Sequence, residues 1–65
     1  MKYSEEYFEN LMGKVVEVVF HGGKSIAGTL DCYLPEKDNG YNAILLKSGT
    51  LTEIKLDDIK EVVVK

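Results

Sequence analysis

The 65-residue chain predicts a mainly β fold: a short N-terminal helix followed by five antiparallel strands, strongly bent into a small closed or nearly closed barrel. Three observations predict it. A helical spacing of apolar residues is confined to the first dozen positions, β-branched residues in two-residue alternation take over from Lys14, and three glycine-containing turns together with Leu56-Asp57-Asp58 cut the remainder into five short apolar runs.

The helix is expected over about residues 4–12. Tyr3, Tyr7 and Leu11 recur at i, i+4 and i+8, with Phe8 and Met12 beside them, so the apolar residues share one face. Ser4 supplies an N-cap hydroxyl, Glu5 and Glu6 sit at the positive end of the helix dipole, and Gly13 can adopt the left-handed conformation that ends the element.

The first strand is expected over about 14–20, with Val16, Val18 and Phe20 on one side and Val15, Glu17 and Val19 on the other. His21-Gly22-Gly23-Lys24 forms a hairpin turn into a second strand over about 25–34, which places Ile26, Gly28, Leu30 and Cys32 on one face. Gly28, in mid-strand, marks a bend or a close backbone approach. Pro35 to Gly40 cannot continue a central strand, because proline lacks the N–H and Asn39-Gly40 is a turn pair. The third strand is expected over about 41–47 and the fourth over about 51–56, joined by a tight turn at Ser48-Gly49. A single helical or 3₁₀ turn at Leu56-Asp57-Asp58 precedes the last strand, over about 59–64. The run Val62-Val63-Val64 suits a strand buried on both sides or one that pairs with a neighbouring chain.

Residues 1–65 read as one domain without internal repeat or linker. A domain of this size buries only about 60% of the surface its unfolded chain exposes, so its stability calls for outside support. A single cysteine forms no intrachain disulfide and no Cys/His cluster suggests a zinc site, which leaves association with other chains as the remedy. No apolar stretch approaches a membrane span, and Met1 to Glu6 are charged with no apolar region after them, so the expectation is a cytoplasmic protein with no membrane partner. The net charge of −3 argues against a broad basic surface that tracks nucleic acid.

No catalytic constellation, metal site or cofactor motif is expected. Cys32 shares its predicted face with Ile26 and Leu30, which makes it a buried structural thiol, and His21 occupies a solvated hairpin corner. Glu5/Glu6 and Asp57/Asp58 are adjacent pairs that point apart. Gly22-Gly23-Lys24 leads into a strand, not into the helix that a phosphate-binding loop requires. The remaining candidate is a binding surface on the second-to-third-strand loop, made of Tyr33, Lys37, Asn39, Tyr41 and Asn42, where exposed rings beside a cation could stack on bases or meet a protein. The competing expectation is that both tyrosines cover the ends of the barrel with only their hydroxyls wet.

Three stretches carry a family resemblance: Leu11-Met12-Gly13-Lys14-Val15-Val16-Glu17-Val18, Gly23-Lys24-Ser25-Ile26-Ala27-Gly28-Thr29-Leu30 and Asn42-Ala43-Ile44-Leu45-Leu46. Together they resemble the Sm-like family of small β-barrels, the LSm and Hfq-type proteins, with features shared by SH3-like barrels. That family's Asp-x-aromatic-Met-Asn run is matched best by Asp38-Asn39-Gly40-Tyr41-Asn42. Gly40 stands where the base-stacking aromatic is expected and Tyr41 where the methionine is, while Asn42 keeps the family's asparagine. Lys55-Leu56-Asp57-Asp58-Ile59 stands in place of the family's Arg-Gly or Lys-His signature. The resemblance implies a non-enzymatic binding module that forms homo-oligomers through its last two strands and contacts RNA or a protein through the Leu34 to Asn42 loop. The alternative is an SH3-like protein-interaction or regulatory module that binds no nucleic acid.

Overall fold

The N-terminal helix α1 spans Glu5–Glu9 in the computed structural model, which describes residues 3–65. Met1 and Lys2, part of the charged start on which the cytoplasmic expectation rests, lie outside the described residues. Ser4 caps α1 as expected, its Oγ accepting from the Tyr7 N–H at 3.2 Å. The helix ends earlier than the expected residue 12. After the C-cap Asn10, the bonds tighten to i→i−3 contacts, from Leu11 N to Phe8 O at 2.9 Å and from Lys14 N to Leu11 O at 3.0 Å. Gly13 then turns the chain at φ +81°. The apolar face is nonetheless the expected one: Phe8 is fully buried, and Tyr3, Tyr7, Leu11 and Met12 pack around the same core.

Five strands follow: β1 at Val15–Phe20, β2 at Ser25–Leu34, β3 at Ala43–Ser48, β4 at Thr50–Lys55 and β5 at Ile59–Val64. A 3₁₀ turn at Leu56–Asp58 links β4 to β5, where the sequence places one. All pairings are antiparallel and the order is β4-β3-β2-β1-β5. The sheet is open: β4 and β5 are its edges and do not pair with each other, so hydrogen bonding does not close the expected barrel. The core lies on one face under α1, built from Phe8, Val16, Val18, Leu30, Ile44, Leu46, Ile54, Leu56, Ile59 and Val62. Of the two sides expected for β1, the one with Val16 and Val18 faces this core, and the same period-two alternation leaves Val15 on β1 and Leu51, Glu53 and Lys55 on β4 exposed.

Gly28 resolves to a close approach. A Cβ there would stand 2.6 Å from the Lys47 carbonyl oxygen and 3.1 Å from Leu46 Cγ, so any side chain would push β3 away from β2. The break in β2 comes later. Its register with β3 slips between Leu30↔Leu46 and Cys32↔Leu45, leaving Asp31 as the extra residue of a bulge.

That bulge corrects the expected place of Cys32. Beyond it the alternation is inverted, so Tyr33, opposite the buried Ile44, joins the core face, while Cys32, opposite Leu45, lies on the other face and is only half-buried. The Val62-Val63-Val64 run is not buried on both sides either: Val62 is in the core, Val63 is half-buried and Val64 is exposed. No helix among the described residues is long and apolar enough to cross a membrane.

Candidate binding surface

The connection from β2 to β3 is more ordered than a bare loop. Glu36–Asn39 form a single helical turn, α2, preceded by Pro35 in extended conformation and ended by Gly40 at φ +86°, a conformation that side chains other than glycine rarely take. Residues 41 and 42, expected to open the third strand, belong to this connection, and β3 starts at Ala43.

Asn42 locks the connection. Its Oδ1 accepts from the Glu36 N–H at 2.8 Å, which satisfies one of the amides that a helix start leaves without a partner. Asn39 turns inward as well, Nδ2 donating to the Pro35 carbonyl at 3.3 Å. Both asparagines of the candidate surface therefore hold the turn in shape. Lys37 projects from α2 and is exposed.

The two tyrosines are separated by the sheet. Tyr33 is on the core face, its ring stacked on Phe8 with centroids 5.9 Å apart and planes 29° apart. Burial pushes its phenol pKa up, and the negative charges of Glu5 and Glu36 add to the rise. Tyr41 lies against the opposite face of the β3–β4 pair. Its hydroxyl donates to Glu53 Oε2 and the Lys55 ammonium sits 4.7 Å from its ring centroid. Glu53 and Lys55 stand opposite Leu45 and Ala43 in register, so the ring extends along that face, where Ala43 is fully buried. The bond to Glu53, which holds the proton on the phenol, is the main cause of the raised Tyr41 pKa.

The five candidate residues thus form no single platform: Tyr33 faces the core, Asn39 and Asn42 shape the turn, and Tyr41 and Lys37 remain on the outside. Reasoning from sequence missed Glu53 and Lys55 as companions of Tyr41. The signal was present in the tight turn at Gly49, which sets Leu45 against Glu53 and Ala43 against Lys55.

The two sheet edges are the other surface feature. In an antiparallel pair, hydrogen-bonded and non-bonded positions alternate. Leu56 N donates to Asn42 O at 3.0 Å, and continuing that phase along β4 directs the amides of Leu51, Glu53 and Lys55 off its open edge. Lys65 N donates to Val15 O at 2.9 Å, and the same argument along β5 directs those of Val62 and Val64 outward. Leu51 and Val64, 56% and 48% exposed, are large apolar side chains on these edges.

Cys32 carries a thiol whose pKa is raised by burial and by neighbouring Asp31, the opposite of the shift that activates a nucleophile. Among the described residues, no group of three or more His, Cys, Asp or Glu side chains is placed to hold a metal ion, and no cavity large enough for a small ligand opens. Comparisons with protein-family models, with curated proteins and with solved structures find no match for this chain.

Proposed function

We propose that this chain is a non-enzymatic binding module of Sm-like form that assembles with copies of itself through edge strands β4 and β5. One observation carries the reading: the open sheet ends in two strands that direct backbone amides off their edges and carry exposed apolar side chains there, Leu51 on β4 and Val64 on β5. Unpaired edges of this kind template pairing with another chain unless something covers them. Every copy offers both edges, and a 65-residue domain without a disulfide gains the burial it lacks by docking on another copy. The element order, with a helix first and a 3₁₀ turn between the last two strands, supports the Sm-like reading. Sedimentation velocity and native mass spectrometry at micromolar concentration test the assembly: oligomers are expected, and a monomer throughout refutes it.

For the partner of the assembled module we favour a protein over RNA. The asparagines that would read a base are engaged in shaping the turn, Tyr33 is stacked on Phe8, and the net charge of −3 repels a phosphate backbone. Fluorescence anisotropy with oligo-U and oligo-A at low salt separates the two: a flat titration is expected, and saturable binding restores the RNA reading.

A further inference from the structure

The open edge of β5 is not bare. Val62 is the mid-strand residue whose N–H points away from β1, and that N–H donates to the Tyr3 hydroxyl at 3.0 Å, across 59 positions of sequence. The Tyr3 ring is held from behind by α1, with centroids 4.8 Å from Tyr7 and 5.8 Å from Phe8, the latter fully buried. A strand adding to β5 needs the Val62 amide as a donor, so it has to displace this hydroxyl.

We infer that the segment carrying Tyr3 acts as a strap over the β5 edge, and that release of the Tyr3 hydroxyl from Val62 is a step in pairing β5 with a strand of a second copy. The inference rests on the assembly proposed above and adds its control. Three features suit Tyr3 to the task. The phenol oxygen accepts from the Val62 N–H without supplying the alternating donors and acceptors of a true strand, so the cover competes with pairing but does not substitute for it. The anchor is a short helix of five residues, whose stability comes from tertiary packing and which is correspondingly easy to shift. The neighbouring outward amide, that of Val64, lies beyond this bond and leaves an approaching strand a place to start.

The test is amide exchange read with sedimentation. In the wild-type chain at a concentration where it is monomeric, Val62 N–H should exchange about three to ten times more slowly than Val64 N–H, the range expected for one part-buried hydrogen bond. Tyr3→Phe removes the hydroxyl and keeps the ring contacts, so exchange at Ile44 and Leu46 should be unchanged. Exchange at Val62 should accelerate by the same three to ten times, and the dissociation constant of the oligomer should fall by a similar factor. Exchange at Val62 as fast as at Val64 in the wild type, or unaffected by Tyr3→Phe, overturns the strap while leaving wild-type assembly standing. Faster exchange with an unaltered dissociation constant overturns its control of pairing. Monomers of both proteins at every concentration refute the assembly and the strap's role in it together.

Discussion

Replacing Gly28 with alanine sets two effects of opposite sign against each other, and the structure decides which wins. Removing a glycine reduces the freedom of the unfolded chain, a gain of about 0.4–1 kcal/mol where the native backbone tolerates the new side chain. At Gly28 the new Cβ would meet the Lys47 carbonyl oxygen at 2.6 Å and the Lys47 carbonyl carbon at 3.1 Å. Both are backbone atoms of β3, and they cannot swing aside as a side chain does. Relief requires β2 and β3 to separate between Thr29↔Lys47 and the β3–β4 turn, with an overpacking cost of about 1–3 kcal/mol. The net expectation is a loss of roughly 1–2 kcal/mol, from a domain whose total stability at this length is about 3–10 kcal/mol.

Urea denaturation followed by circular dichroism should show the midpoint falling by about 1–2 M at an unchanged slope near 1 kcal/mol/M. The measurement is repeated at several protein concentrations, because assembly adds to apparent stability. Gly22→Ala is the control: nothing lies within 4 Å of its Cβ position and its φ is not positive, so the midpoint should hold or rise slightly. A Gly28→Ala protein as stable as the wild type refutes the close approach as the reason for this glycine. Equal losses in both variants would show that glycine as such, and not the approach to β3, governs the effect.

Asn42→Ala strands the Glu36 amide, so exchange at Glu36 should accelerate and α2 should fray at a cost of about 0.5–1 kcal/mol; Asn42→Asp, which keeps an acceptor oxygen, should preserve the turn, and identical behaviour of the two would sink the capping role. Glu17 has a lowered pKa, held down by the Lys65 ammonium at 3.1 Å and then by the Ser25 hydroxyl at 2.9 Å. A carboxylate with a depressed folded pKa contributes stability that is present above its ordinary value of 4.5 and is lost as pH falls through the folded value. Glu17→Gln should therefore flatten the decline of the thermal midpoint below pH 4.5, and a decline parallel to that of the wild type counts against the linkage.

The legible parts of this fold were those written in short-range patterns. Ser4 caps α1, Val16 and Val18 share one face of β1, Leu56-Asp57-Asp58 turns, and β2 and β5 have the predicted limits, because each follows from spacing or turn chemistry within a few residues. The helical turn at Glu36–Asn39 was harder to see, because its start is completed by Asn42, six residues on from Glu36, which looked like the first residue of a strand. At the candidate site the sequence marked Tyr33 and Tyr41 as a pair flanking a loop. One extra residue at Asp31 put them on opposite faces.

Composition and periodicity alone determined that this is a mainly β chain without an intrachain disulfide, led by an amphipathic helix and followed by five strands. Tertiary structure alone decided that the sheet ends in two unpaired edges, that Cys32 leaves the core face, that Tyr41 lies between Glu53 and Lys55, and that Tyr3 covers Val62. The division has a physical cause. Local propensity and two-residue alternation act through neighbours in sequence, whereas register, bulges and edge contacts are set by which distant strands meet, and a slip of one residue reverses every face beyond it.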